Sequence, residues 1–92
     1  MHVIQLARAQ WLVLDDHVKP RYLIVQGPVV SRATGETEIM HRVEWWNPDR
    51  AKRHILAVCD GQVAAEAWCR HQLAVDAAKR AEISASVARQ GW

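Results

Sequence analysis

Apolar and polar positions alternate most regularly between Glu38 and Trp46. Ile39, His41, Val43 and Trp45 fall on one side, and Glu38, Met40, Arg42, Glu44 and Trp46 on the other. A period of two marks a strand whose successive side chains leave opposite faces of a sheet. Asn47-Pro48-Asp49-Arg50 then reads as a turn, because Asn and Asp bond their own backbone and Pro fixes φ at the second position. Arg53 to Val58 is apolar again beyond its first two residues and forms the returning strand of a β-hairpin.

Upstream, Pro20 opens a second region, and Tyr22 to Val25 is an apolar run suited to a sheet interior. Gly27-Pro28 interrupts the run before Val29-Val30. Proline cannot donate to a ladder, so this break predicts a bulge or an edge position. Ala33-Thr34-Gly35-Glu36 is the turn into the alternating strand. His2 to Leu14 is ambiguous. Ile4, Ala7, Trp11 and Leu14 would share one face of a helix, whereas Trp11-Leu12-Val13-Leu14 reads as a buried strand. The β-branched and aromatic content favours one strand ending at an Asp15-Asp16 turn.

From Asp60, a candidate N-cap, to about Arg89 no residue breaks a helix. Val63, Ala64, Ala67, Trp68, His71, Ala74, Val75, Ala78 and Ala81 form its expected inward stripe. Glu66 with Arg70, and Asp76 with Arg80, are i,i+4 pairs on the other side. Gly91 ends the helix and Trp92 is a free tail. The expected fold is therefore α+β: one domain over 1–92, with a small antiparallel sheet of three to four strands at about 2–58 and a long C-terminal helix at about 61–89.

Composition narrows the class further. With 92 residues, half hydrophobic and 24% charged, the chain supports one modest core. Twelve Lys and Arg stand against ten Asp and Glu, for a formal charge of +2. That balance predicts no strong non-specific attraction to nucleic acid or anionic lipid. Met1 to Leu14 carries His2, Gln5, Arg8 and Gln10 in place of a clean apolar core, so no signal peptide is expected. The longest clean apolar run there, Trp11 to Leu14, is too short to span a bilayer. Two cysteines, Cys59 at a strand end and Cys69 on the polar side of the helix, are too few for a disulfide framework. They are expected reduced, in a cytoplasmic protein.

Catalytic chemistry finds no foothold in the pattern. Gly27, Gly35, Gly61 and Gly91 are too dispersed for a phosphate-cradling loop, and Ser31, Ser84 and Ser86 lie in no nucleophile-elbow sequence. Cys59, Cys69, His54 and His71 are the residues that would have to converge on a metal. Nine residues separate the cysteines, however, and there is no second close pair. His41 and His71, both read as inward, would make a pH-sensitive pair if they met; the simpler reading puts each at the core margin. The chain is thus expected to be no enzyme and to need no cofactor.

Trp45 to His54 is the most informative segment. Alternation sends Trp45 and Trp46 to opposite faces, so one indole stays on the surface unless both faces are covered. The cations Arg50, Lys52 and Arg53 follow, and Arg42 shares the side of Trp46. Exposed Trp beside Arg is the composition of an interface anchor. The expected partner-binding set is Arg42, Trp46, Arg50, Lys52 and Arg53. The same residues suit stacking on unpaired bases with cations on phosphates; a solvated hairpin tip is the bland alternative. A helix of about thirty residues, ~45 Å long, outruns strands of ordinary length. Its later half, through Leu73, Ala77, Ile83 and Val87, is the expected homodimer interface, against the alternative of a fraying Ala-rich end.

Together these features predict a non-enzymatic binding protein acting through a protein–protein interface, with no membrane partner. A nucleic-acid-binding protein using the basic hairpin is the alternative; it lacks RRM aromatics and a KH loop. In size, architecture and missing motifs the chain resembles small accessory proteins of phages and mobile elements, anti-CRISPR proteins among them. That resemblance is one of character, rests on no motif and carries over no residue.

Overall fold

The computed structural model describes residues 1–90, with side chains through Ile83; Gly91, Trp92 and the side chains of Ser84, Ser86 and Val87 lie outside the described residues. Five strands, β1 (His2–Ala7), β2 (Gln10–Leu14), β3 (Pro20–Val30), β4 (Thr37–Trp45) and β5 (Ile55–Cys59), precede one helix, α1 (Gln62–Gln90). The strands form a single antiparallel meander in the order β1-β2-β3-β4-β5. The α+β class agrees with the sequence reading, but the sheet has five strands where three to four were expected.

The extra strand comes from the N-terminal segment. His2 to Leu14 is two strands folded about Arg8-Ala9, with Val3 opposite Val13 and Ala7 opposite Gln10. A two-residue hairpin normally advertises itself with Asn-Gly or Asp-Gly. Here it has neither, and a register shift between Gln5 and Ala7 accompanies the closure. The next turn is held by Asp15, whose Oδ1 accepts the amides of His17 (2.9 Å) and Lys19 (3.0 Å). Val18 takes a left-handed φ of 60° inside it.

β3 runs through Gly27-Pro28 without a bulge, in unbroken register with β4 from Tyr22–Trp45 to Val30–Thr37. Pro28 is tolerated because β2 reaches only as far as Val25. Beyond that point β3 is an edge, where a missing N–H costs little. Since β5 reaches only as far as His41, residues 27–30 and 37–40 pair only with each other and project as a two-stranded arm. Its tip is the expected turn: Gly35 has φ 73°, and Ser31 N–H donates to Glu36 O at 2.9 Å.

Cross-strand partners share a face. Val13, Tyr22, Ile24 and Val43 therefore line one side of the sheet, and α1 covers that side over β4 and β5. Ala65 and Cys69 of α1 complete the buried cluster, with Trp68 and Leu73 packed against it. This corrects the expected stripe. Val63 is 83% exposed, and Ala64, Ala67, His71, Ala74 and Ala78 also face solvent. Alanine on every side of the helix gives little amphipathic signal, so the large apolar residues Trp68 and Leu73 set the buried face. Cys69, expected on the polar side, is at its centre.

Helix capping also shifts by one residue. Ala65 N–H donates to Gly61 O at 3.1 Å, which puts Gly61 at the cap and Asp60 outside it. Asp76, expected to pair with Arg80, instead bonds Arg21 of β3 at 2.9 Å. That contact ties the helix to the β2–β3 end of the sheet. Beyond it Ala77 to Ile83 are exposed, and the ~14 remaining helical residues extend ~21 Å. The arm leaves the opposite end of the sheet, which accounts for a longest dimension of 59 Å against 30 and 26 Å.

Candidate functional site

The segment between β4 and β5 is an ordered loop. Asp49 N–H donates to Asn47 Oδ1 (2.9 Å) and Ala51 N–H to Asp49 Oδ1 (3.0 Å), which starts a short 3-10 turn at Arg50–Lys52. These are the side chain-to-backbone bonds that favour Asn and Asp in turns. Arg53 closes the loop: its Nε–H donates to Asn47 O at 2.7 Å, and its guanidinium lies 4.5 Å from the centre of the Trp46 ring. Trp46 N–H donates to Arg21 O at 3.0 Å. Trp46 is therefore half-buried beneath Arg53, and both residues are spent on holding the loop.

Trp45 is the exposed indole, at 41%. It lies on the helix side of the sheet, as does Val43, but remains partly open there. Tyr22 meets it edge-to-face at 6.1 Å and meets Trp68 of α1 at 5.6 Å, so Trp45 ends a row of three aromatic rings. Edge-to-face pairs fix ring orientation as well as adding burial. In front of Trp45 the loop and β5 leave a concavity of about 510 Å³, lined also by Asn47, Ala51, Lys52, His54 and Leu56. Its floor is apolar, and an ammonium and an imidazole stand at its rim. Such a surface holds a flat or branched apolar group next to an anionic one.

The five residues expected at the interface thus divide. Arg50 and Lys52 are exposed beside the concavity, whereas Trp46 and Arg53 belong to the loop's own packing. Arg42 is directly opposite Val25 and Val58 on the face of the sheet turned away from the helix and pairs with Glu44 at 3.6 Å. Trp45 was missed. Alternation gave its side of the sheet correctly but not how far the helix extends over that side. Of the four expected dimer residues, Leu73 packs on its own core, Ala77 and Ile83 are exposed, and the side chain of Val87 lies outside the described residues.

A second concavity, about 420 Å³, lies between α1 and the β2–β3 turn. Its central cation, Arg21, is already bonded to Asp15 (3.4 Å) and Asp76 (2.9 Å). The Lys19 amide, then the His17 amide and Arg21, hold the Asp15 carboxyl below its usual range against the opposing effect of burial. Asp16 is held low by the N-terminal ammonium 2.6 Å away. Arg21 and the N-terminal ammonium are thus compensated, as in a structural network, while Arg70 and Arg80 also line the concavity.

The thiols are both free. Burial, with Cys59 adding to it, pushes the Cys69 thiol up to about 12, and burial then Asp60 push Cys59 upward as well. A thiol held protonated is a poor nucleophile. His41 is buried 5.9 Å from Trp11, and its Nδ1 has no hydrogen-bond partner among the described residues. His71, read as inward, faces solvent, so the two histidines do not meet. No group of three or more His, Cys, Asp or Glu suited to a metal ion occurs among the described residues, and no helix there is long and apolar enough to cross a membrane. Comparison with protein-family models, curated proteins and solved structures finds no match to this chain.

Proposed function

We propose that this chain is a non-enzymatic binding protein of the cytoplasm, an inhibitor or accessory factor that acts by occupying a partner protein's surface. The supporting observation is the Trp45 concavity: a rigidly backed, partly exposed indole with Lys52 and His54 at its rim. Aromatic anchors with a cationic rim are where binding energy concentrates in protein interfaces. The segment that fits is an extended stretch carrying an aromatic or branched apolar side chain next to Asp or Glu. Arg50 and Lys52 supply long-range attraction, and the indole supplies contact area.

The test is selection from a displayed library of random peptides against the whole protein. Enriched peptides should pair an apolar anchor with a carboxylate, and Trp45→Ala should weaken them by at least about tenfold, ~1.4 kcal/mol. Lys52→Ala should cost less and mainly at low salt. Peptides that bind Trp45→Ala as tightly as the original protein would sink the reading. A single-stranded oligonucleotide bound through the same residues, with affinity falling steeply as salt rises, would replace it with the nucleic-acid alternative.

A further inference from the structure

We propose that β5 pairs antiparallel with the β5 of a second copy, joining two five-stranded sheets into one of ten strands. β5 is the outer strand of the meander, so one of its two rows of backbone N–H and C=O groups has no strand to meet among the described residues. Soluble proteins protect such edges with charges, prolines or a covering element. The strand Ile55-Leu56-Ala57-Val58-Cys59 carries no charge and no proline. Helix α1 covers its Ala57 and Cys59 side but leaves the rest open: Ile55 is 58% exposed, Val58 46%, and Leu56 is comparably open. The opposite edge, β1, has His2 and Gln5 within it and is less suited to an apolar seam.

The flanks of β5 specify the partner. Arg53 and His54 precede the strand and Asp60 follows it. In an antiparallel pair centred on Ala57, the apolar stretch Ile55–Cys59 of one copy runs along that of the other. That arrangement brings His54, which precedes the strand, to the end where Asp60 of the second copy follows it, and twofold symmetry makes the approach twice. Parallel pairing would set Asp60 against Asp60, which is unfavourable. The edge is thus apolar in its middle and complementary to itself at its ends. The irregularity in β5 falls at Leu56, and Ala57, Val58 and Cys59 keep regular register with β4.

Light scattering on the full chain at about 100 μM, where micromolar self-association is populated, should give a mass near twice 10.5 kDa. Val58→Lys, on an already exposed position, should return it to the single-chain mass with an unchanged circular dichroism spectrum. Asp60→Arg should weaken the dimer at least about tenfold, and combining it with His54→Asp should restore it; this pair keeps the test decisive if Val58→Lys does not fold. A single-chain mass for the original protein would overturn the proposal. So would a dimer that survives Val58→Lys and the charge reversal but dissociates in Ile83→Lys, because the helix would then be the interface.

Discussion

Exchanging Cys69 for alanine removes one sulfur from the centre of the helix–sheet contact, and its effect on stability should change sign with pH. At pH 8 the thiol is protonated in both folded and unfolded chains, so the variant loses only packing, about 1–2 kcal/mol for a small buried apolar group. Burial raises the folded thiol from its ordinary 9.0 to about 12. A group whose folded pKa is raised contributes stability that is complete below the unfolded value and is lost as pH rises towards the folded one. Between 9.0 and about 12 the unfolded chain holds fewer protons than the folded one, so Cys69 draws stability down by ~1.4 kcal/mol per pH unit. By pH 10.5 that amounts to ~2 kcal/mol, which alanine does not suffer. The two stability curves should therefore cross near pH 10. Urea unfolding followed by circular dichroism, in reductant and at fixed ionic strength, measures both chains at each pH. Subtracting one from the other cancels Tyr22, whose hydroxyl is raised by its own burial and then by Asp76, together with the other groups common to both. A difference that stays constant within about 0.5 kcal/mol across the range would refute the placement of this thiol in the core.

Two further outcomes test the fold beneath the site. Ile24→Ala, at a position with no exposure, should cost about 3–4 kcal/mol, a large share of the roughly 5–14 kcal/mol expected for 92 residues. Ile39→Ala, on the projecting arm at 59% exposure, should cost under about 1 kcal/mol, and equal losses in urea unfolding would contradict the register. Asp15 is held low chiefly by the Lys19 amide, so its contribution is present above its ordinary 3.8 and is lost as pH falls below that value. Asp15→Asn should accordingly flatten the acid limb of a stability–pH curve, and an unchanged acid limb would remove Asp15 from the account.

Much of the framework was legible because local chemistry decided it. The alternation around Val43, the Asn47-Pro48-Asp49 turn and the uninterrupted helix each depend on neighbours in sequence. The errors share a different cause. Arg8-Ala9 turns without a turn-forming residue, so the first hairpin left no mark in the pattern. The alanines of α1 are compatible with any face, and the choice fell to Trp68, Leu73 and the Arg21–Asp76 bond, which are tertiary. Trp45 was assigned to the right side of the sheet, yet exposure depends on which part of that side the helix crosses and on where Arg53 lies. The candidate site is one residue from the expected one because cover, unlike alternation, is not periodic.

The concavity and the open edge share β5, and that sharing gives the two proposals a common consequence. Leu56 lines the concavity, while the strand's free side is the proposed seam. Pairing centred on Ala57 places the two copies of His54 six positions apart along adjacent strands, ~20 Å at strand spacing. A dimer would therefore present two Trp45 concavities in a fixed, twofold-related arrangement, and twofold-related sites engage a symmetric partner together. The second contact then forms at high effective concentration, which multiplies affinity by roughly 10²–10⁴ without any new contact. A chain this small can bury only a shallow anchor in each concavity, so tight occupation of a partner would come from two modest sites held on one continuous sheet. On this reasoning Val58→Lys should weaken binding to a twofold-symmetric partner far more than to a single peptide, although Val58 touches neither.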